Sequence, residues 1–293
     1  MLKSIYAIIT MTAALFVAVS CDDSSGNSDY LEPPHASVPK DEEVEVKPTY
    51  SKGDGVLRLV SYNVGAFSKY TYSVDMIAKL MLELDADVIG MNEVDSCTTR
   101  TGKEHQLMFT AKKMGDWPYY YAKAMAYQGG AYGNGIIISP SFKITGMERI
   151  AIPKGTGSEP RSCAVVKTDK FIYMATHLEV KTEIDRLKGV ELITNWAKEK
   201  YGNTNMPVFL CGDMNCEPQD SPILGFLENW TQLSVSDYTY PSRTPKKCID
   251  FIFVFNNGAK YERINSEVAT KFETGKVTDA SDHLPIYVDV KLK

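Results

Sequence analysis

Several short apolar runs in this chain end in carboxylates, amides or imidazoles, and this pattern constrains its fold more than any other feature. Met206-Pro-Val-Phe-Leu-Cys211 reads as a buried strand that empties into Gly212-Asp213-Met214-Asn215. Gly212 permits a tight exit, so Asp213 and Asn215 emerge two positions apart. Near the other end, Ala280-Ser-Asp-His283 leads into Leu284-Pro-Ile-Tyr-Val-Asp-Val290, whose alternation suits a half-buried strand. Each cluster alone is also ordinary turn or loop chemistry, because Asp and Asn bond readily to their own backbone. Their company decides between the readings.

That company is extensive. Asn63 follows the strand 56–62, Glu93 follows the strand 87–91, His177 follows 171–176, and Asp250 opens the strand 249–255. Helices are expected over 74–84, 104–114, 183–200 and 222–229, the third from apolar residues Ile184, Leu187, Val190, Ile193 and Trp196. Further strands are expected at 119–125, 135–139, 162–168, 261–270 and 284–290, with 150–153 as the end of another. Consecutive middle strands without helices between them argue against a purely parallel, doubly wound sheet. The expected fold is α/β, with two sheets packed face to face and helices outside. Gly129-Gly130-Ala-Tyr-Gly133-Asn-Gly135 is glycine-rich but lacks the Lys-Ser/Thr pair of a phosphate loop.

The first 20 residues stand apart. Lys3 precedes an apolar stretch over 5–19, too short for a relaxed membrane span and suited to a signal peptide. Ala18-Val19-Ser20-Cys21 resembles a bacterial lipobox with Cys21 as the lipidated residue, although Ala18 stands where Leu is usual. Residues 21–54 are rich in Asp, Ser and Pro and read as a tether; residues 55–293 form the folded domain. The expected location is a membrane-anchored lipoprotein on the periplasmic or cell-surface side, at the outer membrane. Loss of Lys3 with the leader takes the 32 basic residues to 31 against 37 acidic ones, a net charge of −6. Such a balance gives no general attraction to polyanions. Setting Cys21 aside leaves five cysteines, read mainly as buried thiols; Cys211 and Cys216 bracket the Asp213 turn and could pair.

Carboxylate and amide oxygens without a Cys/His cluster favour a hard cation, Mg²⁺ or Mn²⁺, as one ion or two. The ordered motifs Ser-Tyr-Asn63, Asn-Glu93-Val, Tyr132-Gly-Asn134, Thr-His177-Leu, Gly-Asp213-Met-Asn215, Ile-Asp250-Phe and Ser-Asp282-His283 resemble those of the endonuclease/exonuclease/phosphatase superfamily. The resemblance covers about residues 56–293 and implies a four-layer αββα sandwich of two mixed β-sheets flanked by helices. It implies Glu93 as metal ligand, with Asn63 beside the metal or phosphate and Asp282 in the metal and catalytic centre. It further implies that Asp213 activates or orients water, that Asn215 holds the scissile phosphate, and that His283 is the catalytic imidazole oriented by Asp250. His177 matches the second histidine of several branches.

Tyr132, Asn134 and Arg161 are candidate substrate contacts, Arg161 as a phosphate clamp. The implied activity is divalent-metal-dependent hydrolysis of phosphoesters, with a small phosphodiester, a nucleic acid or a phospholipid head group as substrate. Tyr119-Tyr120-Tyr121 and Tyr127 could stack bases in a nuclease, or pack on a sheet. A sphingomyelinase-like enzyme would need an exposed apolar hairpin, and no such run stands out. A non-catalytic surface-binding lipoprotein on the same fold is the alternative of another class. No protein partner is evident, and a monomer is expected.

Overall fold

The computed structural model describes residues 46–293, so the leader, Cys21 and most of the tether lie outside the described residues. The strands in chain order are β1 (Leu57–Asn63), β2 (Val88–Ser96), β3 (Tyr119–Tyr127), β4 (Gly130–Ile138), β5 (Ile144–Ile152) and β6 (Arg161–Thr168). They continue with β7 (Ile172–His177), β8 (Val208–Asp213), β9 (Trp230–Gln232), β10 (Asp250–Phe255), β11 (Tyr261–Val268) and β12 (Ile286–Leu292). The helices are α1 (Val74–Glu83), α2 (Gln106–Lys113), α3 (Glu183–Tyr201), α4 (Ser221–Leu227) and α5 (Val277–Ala280).

Two six-stranded sheets result, ordered β11-β12-β1-β2-β4-β3 and β5-β6-β7-β8-β10-β9. Each has one parallel pair, β1 with β2 and β7 with β8, and antiparallel neighbours elsewhere. A parallel pair needs a crossover, and α1 and α3 supply one each. The two sheets therefore repeat one plan that no sequence repeat announces. This is the expected sandwich of mixed sheets with flanking helices.

Strands β7 and β8 are buried on both faces. Tyr173, Ala175, Phe209 and Cys211 join the core between the sheets, while Ile172, Met174, Val208 and Leu210 alternate with them into the core under α3. Gly90 on β2 faces Cys211 on β8, and a β-carbon there would collide with its sulfur. The two sheets thus leave no room for a side chain at position 90, two residues before Asn92 and opposite the strand that ends in Asp213.

Several expectations change. The strand expected at 135–139 begins earlier, so the glycine-rich 129–135 segment lies largely in β4, and 144–152 is a complete strand. On α3, Ile184 and Leu187 are exposed, whereas Val190, Ile193 and Ala197 are buried. A strict three-residue repeat drifts by about 60° per step on an α-helix, so Ile184 lies opposite Ile193. Cys163, Cys211, Cys216 and Cys248 are free and buried, so the 211–216 clamp does not form. Residues 49–52, placed in the tether by composition, are bonded to the domain: Thr49 donates to Glu83 at 2.5 Å and Lys52 pairs with Asp87 at 2.9 Å. Among the described residues no helix is long and apolar enough to cross a membrane.

Candidate active site

Strand register alone assembles much of the site. In one sheet Asp213 lies beside His177 across the parallel pair β7–β8 and beside Asp250 across the antiparallel pair β8–β10. In the other, Asn63 lies beside Asn92 at the ends of β1 and β2. The 281–283 turn joins them because Ser281 Oγ donates to Asn63 O at 2.7 Å and His283 N donates to Ser281 Oγ at 3.2 Å. The six strand-end positions therefore meet at one edge of the paired sheets.

Buried amides hold the two sheets together at this edge. Asp213 N donates to Asn92 Oδ1 at 2.9 Å, and Asn92 Nδ2 donates to Thr176 O and to Asn134 Oδ1, each at 2.9 Å. Asn63 Nδ2 donates to Asp213 Oδ2 at 3.0 Å and to Glu93 Oε1 at 3.2 Å, tying the carboxylate of one sheet to that of the other. The pairing of β2 with β4 shifts register between Met91 and Val94, and Glu93 has φ +57°. This bulge aims Asn92 and Glu93 independently, one into the amide network and one toward the site. On β8, Gly212 has φ +147°, and a β-carbon there would strike Thr176 O. Only glycine lets β8 lie this close to β7 just before Asp213.

Asp213 Oδ2 sits between two imidazoles, 3.6 Å from His283 Nε2 and 3.5 Å from His177 Nε2. The rings differ in what they meet at Nδ1. His283 Nδ1 bonds Asp250 Oδ2 at 2.9 Å, and Thr239 Oγ1 bonds the same oxygen. Burial by itself would lower the His283 pKa, but the carboxylates of Asp250 and Asp213 outweigh it and push it up to about 10. His177 Nδ1 faces Arg161 Nη1 at 3.3 Å and its Nε2 faces Asn215 Nδ2 at 2.8 Å. Burial, then the charges of Arg161 and His283, hold His177 well below its usual value, so it is neutral. Burial raises the Asp213 carboxyl to about 7 despite the opposing His283 charge.

Two oxygen-rich groups flank this arrangement. Asp213, Asp250 and His283 place ligand atoms within 4.8 Å of one another, a group able to hold a metal ion. On the other side, the Lys69 ammonium lies 2.9 Å from Asp282 Oδ2, and its pKa is raised by that hydrogen bond and further by the Glu93 charge. Asp282 thus already holds a cation, within the field of the Glu93 carboxylate.

The remaining candidates sort by distance from the reacting groups. Arg161 is buried between Glu159, at 3.0 Å, and Glu179, at 3.6 Å, and its Nε has no hydrogen-bond partner. The Tyr132 hydroxyl pKa is raised well above its usual value by burial and then by Glu93, with Arg161 opposing. Asn134 lies one layer back, bonded to Asn92 and to Ser162 O at 2.7 Å. Asn215 Nδ2 is engaged with His177 and with Leu178 O at 3.0 Å. Tyr120 and Tyr121 are buried, Tyr119 and Tyr121 pack edge-on to His105, and the Tyr121 hydroxyl donates to Val94 O at 3.3 Å. Sequence reasoning missed Asn92, Lys69 and Tyr240, whose ring centroid lies 4.8 Å from that of His283. Asn92 carried a signal, as an amide immediately before the Glu93 carboxylate; a lone Lys and Tyr in loops carried none.

The model of the Endonuclease/Exonuclease/phosphatase family matches residues 60–283. Among solved structures, a mannosyl-6-phosphatase of Bacteroides thetaiotaomicron VPI-5482 is 18% identical with TM-score 0.65, covering 80% of this chain and 99% of that one. TDP2 of D. rerio, complexed with a single-strand DNA product, is 17% identical with TM-score 0.63, covering 81% and 99%. ANGEL2, a 2′,3′-cyclic phosphatase, is 12% identical with TM-score 0.63, covering 80% and 95%. These likenesses are of fold. No curated protein matches the sequence. With its family model spanning most of the folded domain, this chain belongs to the endonuclease/exonuclease/phosphatase family.

Proposed function

We propose that the chain is a divalent-metal-dependent phosphoester hydrolase in which Asp213 takes a proton from attacking water. The observation that carries this reading is the Asp213 carboxylate, raised to about 7 and set between a charged and a neutral imidazole. A general base is most effective when its pKa lies near the working pH. His283, held by Asp250, presents a charged Nε2–H to a phosphate oxygen as negative charge builds there. Arg161, whose Nη1 faces His177 at 3.3 Å, supplies a second cation for a phosphate oxygen. Glu93, Asp282 and Asn63 would hold a Mg²⁺ or Mn²⁺ ion, which when bound supplies Lewis-acid polarisation of the phosphoryl group.

Six carboxylates, Glu93, Glu159, Glu179, Asp213, Asp250 and Asp282, surround three cations, Lys69, Arg161 and His283. That balance repels a monoester dianion more than a diester monoanion, which supports phosphodiesters as preferred substrates. The three solved relatives carry phosphatase, DNA-product and cyclic-phosphatase names, which supports phosphoester chemistry without choosing among them. The purified chain with Mn²⁺ or Mg²⁺ is expected to cleave an aryl phosphodiester faster than the matching monoester, and to lose both activities in EDTA. Absence of turnover on diesters, monoesters, nucleic acids and phospholipids alike would leave a binding protein on this fold.

The apolar leader and the lipobox-like Ala18-Val19-Ser20-Cys21 support a lipid anchor outside the cytoplasm. Incorporation of labelled palmitate that disappears in Cys21→Ala is the expected result; labelling that persists in the variant removes the anchor.

A further inference from the structure

Next to Asp282 the backbone takes an uncommon course. Gly65, Ala66 and Phe67 have φ of +53°, +53° and +51°, three consecutive left-handed residues, two of which carry a β-carbon. Such a course persists only where its surroundings over-determine it, and commonly beside functional groups. Here Gln106 Nε2 donates to Ala66 O, Phe67 is fully buried, and Ser73 N donates back to Phe67 O at 2.8 Å. The segment 68–72 is thereby pressed against the turn before His283. Lys69 reaches Asp282, Thr71 Oγ1 donates to Asp279 O at 3.3 Å, and Tyr70 lies under the guanidinium of Arg243, 3.8 Å from ring centroid to Cζ.

Arg243 is fixed in that pose by Nε to Thr278 O at 3.2 Å and Nη2 to Asp279 Oδ1 at 3.0 Å. Among the described residues its Nη1 has no partner, and its side chain is 53% exposed, with Tyr70 at 38%. A flat cation stacked on an aromatic ring, with an edge donor free, is a surface for another flat ring bearing acceptors. It stands one residue along the chain from the lysine that touches Asp282. Of the tyrosines the sequence offered for this purpose, Tyr119 and Tyr121 pack on His105, Tyr120 is buried, and Tyr127 is covered by the Arg100 guanidinium, 4.7 Å from Cζ to ring centroid.

We infer that Tyr70 and Arg243 form a stacking subsite, beside Lys69 and the Asp282–His283 turn, for a planar heteroaromatic ring attached to the scissile phosphoester, as in a nucleotide. This rests on the phosphoester reading above and deepens it, because neither a head-group choline nor a simple sugar presents such a ring. Arg and Lys differ in this respect: a lysine at 243 could still pair with Asp279 but could not present a flat face.

The test uses the full chain and paired substrates that carry the phosphate on the same 5-hydroxymethyl group and differ in the base: adenosine 5′-monophosphate against ribose 5-phosphate, and the methyl diester of each. Stacking on one base is worth about tenfold, so KM for the base-bearing member is expected to be about tenfold lower with similar kcat. Tyr70→Ala and Arg243→Lys are each expected to bring that ratio close to one. In EDTA, where no turnover occurs, calorimetry is expected to show adenosine monophosphate binding about tenfold tighter than ribose phosphate, and this difference to vanish in both variants. Equal binding of the two ligands, or a ratio that survives Tyr70→Ala and Arg243→Lys, overturns the subsite. Failure of every phosphoester to turn over in Mn²⁺ strikes the hydrolase reading instead, and the calorimetric arm still decides the subsite.

Discussion

The two flanks of Asp213 use the same side-chain type at nearly the same distance and give it different charge, one cationic and one neutral. On one flank His283 meets the Asp250 carboxylate at Nδ1 and is held as an imidazolium; on the other His177 meets the Arg161 guanidinium and is held neutral. Burial is close to complete for both, at 4% and 5% exposed, so solvent does not distinguish them. The group behind the ring does. A carboxylate behind it makes a charged donor, whereas a guanidinium behind it makes a neutral brace for Asn215.

The largest way to break this comparison is to remove the charged flank. His283→Gln is expected to lower kcat by about a thousandfold on a phosphodiester, in the range for loss of a charged donor aimed at developing negative charge. Retained activity would show that His283 does not carry that charge. Asp250→Asn leaves the ring but exchanges its carboxylate partner for an amide, so the His283 pKa should fall from about 10 toward its usual value. The loss expected is about a hundredfold in kcat, with the alkaline limb of the pH profile moving to lower pH. An unmoved limb would mean that Asp250 does not set the ring's charge.

How much of this was legible beforehand varies by residue. The strand ends at Asn63, His177 and Asp213 and the strand start at Asp250 could be read because each apolar run has a definite boundary, and register then sets the neighbours. By contrast, β2 runs on past Glu93 to Ser96 through a bulge that the apolar run over 87–91 does not announce. Asn92 and Lys69 could not be placed, since one acts across the gap between sheets and the other from a loop whose course depends on three left-handed residues. The same limit applied to α3, where a three-residue repeat in sequence does not lie on one face.

A smaller effect is expected on the neutral flank. Arg161→Met removes the proposed phosphate contact and the cation behind His177, so KM should rise about tenfold and the His177 pKa should rise. An unchanged KM would show that the buried guanidinium serves structure alone. Smallest is the effect on stability. His283 has a folded-state pKa raised above its unfolded value of 6.5, so its stabilising contribution is fully present below about 6.5 and is lost as pH rises toward about 10. Thermal melts of the metal-free protein should show the midpoint falling across that window, with a flatter decline in Asp250→Asn. An equal decline in both proteins would detach the effect from this pair.

Four histidines occur in the sequence, so their rings can be resolved and assigned individually by nitrogen-detected NMR. At pH 8 the account predicts that His283 carries protons on both ring nitrogens while His177 carries one. Two neutral rings, or a charged His177 beside a neutral His283, would contradict it.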